Sequence, residues 1–306
     1  MRYIDLMGGQ KPHLLLTTRN NLGAETHVEY AASTKFYLAD KAAGTPWVTR
    51  LPFPVHVVER VETYDRISRN RFVTRYAYHH GYFDAPEREF RGFGRVDQWD
   101  TEEFATLNST DSFPDAVNVE AASHVPPVLT KTWFHTGAYM SGDIIAKQFE
   151  GEYYREADFS NASGLTDMQR EAMLLEDTLL PDGLSKEEQT EACRALKGSI
   201  LRQEVYALHG SEEADRPYST SERSYTLNLL QPLGANLHAV FFTHARETIN
   251  FHHERKLYDV AGQKLADPRV SHAATLEVDD YGNVLKSVAI GYGRRHLKST
   301  LAIPTA

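Results

Sequence analysis

Histidines are the residues of this sequence that most invite a metal-binding interpretation. Adjacent histidines occur at His79 and His80 and again at His252 and His253, the second pair being followed by Glu254. Neighbouring residues of a strand point to opposite faces, so neither pair is arranged to chelate one ion. No His-Glu-x-x-His spacing is present. Further histidines lie in strand-like stretches: His135, His238, His244 and His272. The sequence predicts no metal site.

Acidic pairs are the residues that could perform acid and base catalysis. There are three candidates: Glu102-Glu103, Glu187-Glu188 and Asp279-Asp280. A glycosidase needs two carboxylates at a set separation across a cleft, which adjacency in sequence does not provide. The first pair is typical of a solvated charge run, Glu188 of a helix cap, and the third pair of a turn. We predict no catalytic residue, with a carboxylate-dependent hydrolase as the remaining alternative.

The sequence contains few residues or motifs that could perform thiol chemistry or bind phosphate. Cys193 is the single cysteine, so neither an internal disulfide nor a cysteine-based zinc site can form. A Gly-x-Gly occurs at Gly92 and Gly94, but no helix start follows it, which disfavours a dinucleotide loop. The Gly-x-Ser-x-Gly and Gly-x-x-x-x-Gly-Lys patterns are absent. No cofactor is predicted.

Composition indicates a globular β protein. The 306 residues carry a formal charge of -9, which disfavours nucleic-acid binding because phosphates require a basic face. No apolar run is long enough for a membrane helix, and the first residues lack the apolar core of a signal peptide. Sixteen tyrosines and fourteen phenylalanines favour extensive sheet. The chain both starts and stops in β-like sequence, so we expect a segment of a larger protein or a split reading frame.

Alternation with a period of two dominates the chain. In 55–64, Val57 and Val61 share one face while Arg60 and Glu62 share the other, which predicts a strand with its charged side in water. Phe72 and the aromatics after it alternate with charged residues in the same way. Other predicted strands are 13–18, 24–30, 128–136, 200–208, 225–230, 238–251, 272–278 and 284–292.

Helix is predicted only within 166–197, as an αα-hairpin inserted between strands. Thr166 can cap a helix running to Asp177, and Ser185 with Glu188 forms the capping box of a second helix that Gly198 ends. The polar stretch 106–127 lacks periodicity and predicts a loop or boundary. We therefore divide the chain into 1–105, a boundary at 106–127, and 128–306.

Two short stretches in 258–292 repeat one pattern. Tyr258-Asp259 with Gly262, and Val278-Asp279 with Gly282, each place an aspartate three residues before a glycine. The aspartate carboxylate can close a turn in which glycine takes a positive φ. Two unrelated hairpins would also explain this pattern, because two copies are few for a repeat.

This pattern resembles the YD repeat of Rhs proteins, and longer stretches are more specific. They are DKAAGTPW (40–47), RLPFPV (50–55), NRFVTRYAYHHGYFD (70–84), REFRGFGRV (88–96), ALKG (195–198), LRQEVYA (201–207) and LKSVAIGYGRR (285–295). Together they resemble the middle region of the B component of bacterial insecticidal toxin complexes. The resemblance extends from about residue 14 to 295.

The resemblance implies a structural role. In that family the B component joins a C component to form a hollow β-walled shell around a cytotoxic effector. A propeller on the B component closes the shell and docks on the pore-forming A component. This chain resembles the part after the propeller, which implies a secreted, non-enzymatic shell segment of mainly antiparallel β-hairpins. It also implies partners in the C component and, through the rest of B, in the A component, without contact to nucleic acid or membrane.

A carbohydrate- or surface-binding β domain is the second hypothesis. Trp47, Trp99, Trp133 and the many tyrosines could stack on sugars. Aromatics buried in a core or lining an inner face would favour the shell, whereas a solvent-facing row would favour sugar binding. For a shell segment, we expect the isolated chain to expose unpaired edge strands and to be poorly soluble or oligomeric.

Overall fold

The computed structural model describes residues 13–100, 116–117, 126–155, 174–211, 213–260 and 262–295. The strands in these residues are β1 (Thr17–Arg19), β2 (Ala24–Ala32), β3 (His56–Asp65), β4 (Asn70–Asp84), β5 (Glu89–Asp100), β6 (Val128–Phe134), β7 (Ile200–Ala207), β8 (Ser219–Gln231), β9 (Val240–His252), β10 (Leu257–Val260), β11 (Gln263–Ala266), β12 (Arg269–Val278) and β13 (Val284–Gly291). The helices are α1 (Ser33–Ala42), a 3-10 turn (Glu150–Glu152) and α2 (Lys186–Ala195).

One antiparallel sheet contains eleven of these strands. Its spatial order is the chain order from β1 to β9, followed by β12 and β13. The remaining strands, β10 and β11, form a separate hairpin inserted between β9 and β12. The predicted fold, mainly β and built of antiparallel hairpins, is confirmed. In the described part of the chain, β1 and β13 each have a sheet partner on one side only.

The expected polarity of the first hairpins is wrong. Arg60 and Glu62, predicted to face water, are only 7% and 1% exposed, whereas Phe72 is 60% exposed. The strand register explains the reversal: Tyr64 pairs with Arg71 and Glu62 with Val73, which places both arginines beside the Glu62 carboxylate. Charges that neutralise one another across strands can be buried, and a single strand does not reveal that partnership.

Helix α1 contradicts the prediction that helix occurs only within 166–197. Its N-cap residue, Ala32, offers no side-chain cap, so the usual start signal is missing. Tertiary contacts hold the helix instead. The Val55 N–H donates to the Ser33 hydroxyl at 3.1 Å, and the Phe36 ring meets the Tyr78 ring edge-on at 5.7 Å.

Helix α2 confirms the second predicted helix. Ser185 accepts from the Glu188 N–H at 3.2 Å, and Glu188 accepts from the Ser185 N–H at 3.0 Å, completing the capping box. Most of the first predicted helix lies outside the described residues, and its described end, 174–177, is not helical. No helix in the described ranges has the length and apolar character needed to cross a membrane.

The connection between β6 and β7 comprises residues 135–199. Its described parts, 135–155 and 174–199, pack on the sheet and make two small apolar clusters with it. One contains Trp133, Ala146, Phe149, Tyr153 and Leu201. The other contains Ile145, Ala192, Cys193, Leu196 and Leu227. Burial raises the pKa of the Cys193 thiol to about 12, so this cysteine is a core residue.

The predicted boundary at 106–127 stays a prediction, since only 116–117 and 126–127 of it are described. The strands on either side of it, β5 and β6, pair directly with each other, Arg95 lying opposite Trp133. The sheet therefore continues across this point of the sequence.

Both aspartate-glycine turns have the predicted geometry. The Asp259 carboxylate accepts from the Gly262 N–H at 3.1 Å, and Gly262 has φ 83°. The Asp279 carboxylate accepts from the backbone N–H groups of Tyr281 at 2.9 Å and Asn283 at 2.8 Å, and Gly282 has φ 84°. The first turn joins β10 to β11 and the second joins β12 to β13.

Candidate functional site

One face of the sheet carries most of its buried charge. Residues directly opposite each other in antiparallel strands share a face, and the register aligns charged residues on β2 to β8 in this way. We call this surface the charged face; its members are Glu25, Arg60, Glu62, Arg71, His79, Arg95, Asp97, Arg202, Glu204 and Glu222. All but Arg95 are less than 9% exposed.

At the β2–β4 end of the charged face, one carboxylate binds two arginines. Glu62 lies 2.5 Å from Arg60 Nη2 and 2.9 Å from Arg71 Nη2. Arg60 also reaches Glu29 of β2 at 3.1 Å. The interactions link three strands through side chains, in addition to their backbone ladder.

The centre of the sheet contains the histidine cluster, which we define as Asp40, His79, His80, Arg95, Asp97 and Glu152. His79 Nδ1 lies 2.6 Å from the Asp40 carboxylate, and its Nε2 lies 3.5 Å from Asp97. Arg95 contacts Asp97 at 3.0 Å and Glu152 at 2.7 Å. The cluster joins α1, β4, β5 and the 3-10 turn.

Glu152 is the anchor of the β6–β7 connection in this cluster. Its carboxylate accepts from His80 Nε2 at 2.7 Å and from the Trp133 indole N–H at 2.9 Å, besides Arg95. Burial alone would raise the pKa of Glu152, but the His80 hydrogen bond and the Arg95 charge lower it to about 2. For Asp97, burial is likewise outweighed by His79 and Arg95, so its pKa is also lowered. Both carboxylates are ionised and serve as acceptors.

Two neighbouring strands contribute a second buried carboxylate pair. Arg202 of β7 donates to Glu204 at 2.7 Å and to Glu222 of β8 at 2.9 Å. Glu204 also accepts from the Tyr206 hydroxyl at 2.6 Å and the Tyr154 N–H at 2.8 Å, while Glu222 accepts from the Leu175 N–H at 3.0 Å. Through Tyr154 and Leu175, these bonds attach both described parts of the β6–β7 connection, 135–155 and 174–199, to the sheet.

Among the described carboxylates, Glu204 and Glu222 are the strongest candidates for a general acid and a general base. Burial raises the pKa of Glu222, as a general acid requires. Arg202, however, bridges the two carboxylates, and the cavity beside Glu222 measures about 10 Å³, room for no more than one water molecule. This arrangement can fasten backbone segments, but it offers no place for a substrate.

The acidic pairs singled out in the sequence do not converge. Asp279 closes the β12–β13 turn, and Asp280 beside it is exposed. Glu188 caps α2. Glu102 and Glu103 lie outside the described residues.

The histidines singled out in the sequence are spread over the sheet, and most of them contact protein atoms. His135 accepts from the Gly137 N–H at 2.9 Å and lies 2.7 Å from the Ile145 carbonyl oxygen; burial lowers its pKa to about 4. Burial also lowers the pKa of His253, to about 3, with help from the nearby Arg202 and Arg295 charges. His244 is half-buried beside the Ala245 carbonyl, and His252 is exposed. His272 contacts the Tyr292 hydroxyl at 3.0 Å.

One set of described residues has metal-ligand spacing: Glu87, Glu191 and His238. The Arg194 guanidinium lies 3.3 Å from Glu87 and 3.1 Å from Glu191, and so already supplies the positive charge between them. The Nδ1 atom of His238 lies 3.1 Å from the same Glu191 carboxylate. This set is an ion-pair group that joins α2 to the β4–β5 hairpin.

The tryptophans do not form a solvent-facing row. Trp133 is fully buried, and Trp47 and Trp99 are half-buried. The Trp47 indole N–H donates to Asp40 at 2.7 Å, which ties it to the histidine cluster. Trp47 also lines a groove of about 280 Å³ with Tyr37 and Phe53, whose lining includes no charged residue. The tryptophans of the described residues therefore do not supply the solvent-facing row that would favour sugar binding.

Sequence reasoning missed the charged face, although a signal for it exists. Three strands carry an arginine two residues before an acid: Arg60-x-Glu62, Arg95-x-Asp97 and Arg202-x-Glu204. Such residues lie on one face of a strand, and each pair is in contact in the structure. Glu152 and Glu222 carry no comparable signal, because their partners lie on other elements.

Comparison with known proteins gives two family matches and a set of related structures. Residues 4–137 match the insecticide toxin TcdB middle/N-terminal region, and residues 191–306 match the insecticide toxin TcdB middle/C-terminal region. A search of curated proteins gives no match.

Solved structures align with nearly the whole chain. The crystal structure of TcdB2-TccC3-Cdc42 is 31% identical over 92% of this chain, with a TM-score of 0.70. TcdB2-TccC3 without the hypervariable C-terminal region is 30% identical over 96%, with a TM-score of 0.71. The Photorhabdus luminescens Tc holotoxin pore is 31% identical over 92%, with a TM-score of 0.69. The chain spans only 12%, 13% and 12% of those chains, respectively.

Proposed function

Because this chain belongs to the TcdB-type middle region of insecticidal toxin complexes, we propose that it is a non-enzymatic wall segment of a B component. The segment forms part of the Rhs-type shell that encloses a cytotoxic effector. Its partners are the C component and, through the remainder of B, the pore-forming A component. It acts outside the producing cell as part of the secreted complex.

The observation that carries this proposal is the open sheet. Strands β1 and β13 each have one sheet partner in the described structure, and seven of the eight residues of β13 are exposed. An isolated sheet with such edges is prone to pair with other chains, whereas a wall segment has its edges paired by the strands that continue the wall. The related structures, a TcdB2-TccC3 complex and a holotoxin pore, support this assignment.

The buried ion pairs support the non-enzymatic part of the proposal. The carboxylates of the charged face accept hydrogen bonds from arginine, histidine, tyrosine, tryptophan or backbone donors, and Arg202 separates the closest candidate pair. Such networks hold strands and the β6–β7 connection in one arrangement. A wall that must enclose a cargo needs this kind of fixed geometry.

The β13 edge offers a sharp test. The Tyr292 N–H donates to the Val270 carbonyl at 3.0 Å, and the pairing is regular from Gly291 back to Ser287. Val288 and Ile290 therefore direct their N–H groups to β12, whereas Ala289 directs its N–H to the open edge. Ala289→Pro therefore removes an outward N–H without removing a β12–β13 hydrogen bond. Ala289→Val is the matched control, because it keeps that N–H.

The experiment places each variant in the B component that contains this segment and co-expresses it with the C component. We expect Ala289→Pro to reduce the yield of closed particle in size-exclusion chromatography and the protection of the effector from protease. Ala289→Val should behave like the unsubstituted protein. Equal yield and protection for both variants would count against a wall role for this edge.

A further inference from the structure

His80 has an unusual backbone conformation for its place in the sheet. It lies within β4 and is 2% exposed, yet its φ is 56°, in the left-handed region. A non-glycine residue pays about 1–2 kcal/mol for this conformation, so surrounding interactions must hold it there. The alternation of side chains is broken at this point. Both His79 and His80 consequently reach the same cluster, contrary to the sequence-based expectation of opposite faces.

Two hydrogen bonds of its imidazole ring, one accepted and one donated, hold His80 in place. Its Nδ1 accepts from the Val48 N–H at 3.1 Å, and its Nε2 lies 2.7 Å from the Glu152 carboxylate. Since Nδ1 must present a lone pair to Val48, the proton is on Nε2 and the ring is neutral. The ring thereby connects the loop 43–55 to the β6–β7 connection.

The packing leaves little freedom for another arrangement. The Phe149 ring of the connection lies 4.9 Å from the His80 ring, and a Cβ built on Gly94 would come within 2.3 Å of Phe149. On the other side, a Cβ on Gly81 would come within 2.7 Å of Trp47. His80 is therefore clamped between two segments that are distant in sequence.

Charged groups of four other elements belong to the network around His80. Asp40 belongs to α1, Arg95 and Asp97 to β5, Lys131 to β6 and Glu152 to the connection, while His79 precedes His80 on β4. Three carboxylates thus face two permanent cations, which leaves a net negative charge when both imidazoles are neutral.

We propose that His80 is a proton-sensitive latch, and that protonation of its Nδ1 releases the Val48 N–H. The rest of the loop 43–55 stays on the sheet, because the Thr49 hydroxyl donates to the Gly81 carbonyl at 3.0 Å and the Phe83 N–H donates to the Arg50 carbonyl at 2.9 Å. A proton on Nδ1 and the hydrogen bond from the Val48 N–H exclude each other, because both need the same lone pair. The Glu152 contact survives protonation, so the β6–β7 connection stays attached to His80 while the Val48 N–H is freed. Release also removes one of the two bonds that hold the left-handed backbone.

Hydrogen exchange can separate release of the Val48 N–H from opening of the rest of the loop or unfolding of the chain. The Val48 N–H depends on His80, whereas the Phe83 N–H donates to the Arg50 carbonyl of the same loop at 2.9 Å without involving His80. We expect the protection factor of Val48 to fall at least tenfold relative to that of Phe83 between pH 7.5 and 5. The ¹⁵N chemical shift of His80 Nδ1 should change from acceptor to protonated over the same range.

His80→Asn is the informative variant. Asparagine tolerates the left-handed conformation, and its side-chain oxygen can accept from Val48 without titrating. The ratio of the two protection factors should then stay within twofold over the whole pH range. An unchanged ratio in the wild-type chain, a fall without protonation of His80, or an equal fall in His80→Asn would overturn the latch. The wild-type measurements decide the question even where the variant does not fold.

Discussion

Strands β7 and β13 have eight residues each and nearly opposite surroundings. In β7, which lies between β6 and β8 beneath the β6–β7 connection, Arg202 and Glu204 are 3% and 1% exposed. In β13, at the end of the sheet, Leu285 and Ile290 are 57% and 40% exposed. Position in the sheet, and not the polarity of the side chains, decides which residues are buried here.

The two strands therefore differ in how a substitution acts. A buried charge must be compensated by its partners, so the loss of one partner leaves another charge desolvated. An exposed apolar residue gains little until a neighbour covers it. We expect large effects on folding stability in and around β7, and effects on assembly rather than stability in β13.

Removal of the central arginine should give the largest effect. Arg202→Ala leaves Glu204 and Glu222 buried without their shared cation, and we expect a loss of about 3–5 kcal/mol in unfolding free energy. The counterpart in β13, Lys286→Ala, breaks an exposed pair with Glu277 and should cost less than about 0.5 kcal/mol. Urea denaturation of both variants measures the difference. Similar losses would contradict the contrast between the strands.

Two glycines test the difference between the covered part of the sheet and β13 through packing rather than charge. A Cβ at Gly94 would lie 2.3 Å from Phe149, whereas Gly291 in β13 has nothing within 4 Å of such a Cβ. We expect Gly94→Ala to cost about 1–3 kcal/mol by overpacking. Gly291→Ala should be close to neutral. A neutral Gly94→Ala in thermal or chemical denaturation would show that Phe149 moves away at little cost.

Acidic pH should lower the free energy of unfolding through His135, which lies in the β6–β7 connection. Its pKa is lowered to about 4 by burial, against 6.5 for the unfolded chain, so below pH 6.5 the unfolded chain takes up a proton that the folded chain refuses. The stabilisation is complete above pH 6.5 and is lost as the pH falls to 4, reaching a loss of about 2 kcal/mol at pH 5.

The measurement is urea denaturation at pH 7.5 and pH 5 for His135→Gln, with His244→Gln as the control because His244 makes no interior contact of this kind. The difference between the two pH values should shrink by that amount in the first variant and remain in the second. An unaltered pH dependence in His135→Gln would assign the acid sensitivity elsewhere.

The smallest effect is expected at the β12–β13 turn. Asp279→Asn keeps one acceptor oxygen for the turn but loses the charge that the Asn283 amide and backbone N–H groups stabilise. The melting temperature should fall slightly, and less than in the variants above. No hydrolysis of a glycoside or peptide should be detectable before or after the change. Turnover by the purified chain that disappears in Asp279→Asn or Asp280→Asn would overturn the non-enzymatic assignment.

Local signals account for what could be predicted from the sequence. The alternation in 55–64, the capping box of Ser185 and Glu188, and the aspartate-glycine turns all depend on residues a few positions apart. These interactions form within one element, so the sequence shows them directly. The resemblance added the family, but not the contacts of this chain.

The remaining features depend on partners that are distant in the chain. Arg71 is buried because Glu62 lies on the neighbouring strand, and α1 is held by Val55 and Tyr78 rather than by a cap. The left-handed backbone of His80 depends on Val48 and Glu152. Period-two alternation identifies the two faces of a strand, but it does not show which face will be covered.

Chain-order pairing has a consequence for synthesis on the ribosome. From β1 to β9 each strand pairs with the one made just before it, so the sheet can grow by one hairpin arm at a time in the direction of translation. At every step the newest strand presents a fresh row of unpaired backbone groups. The longest wait falls after β6, because residues 135–199 must emerge before β7 can close that row. During this interval the nascent chain is most exposed to pairing with another copy of itself.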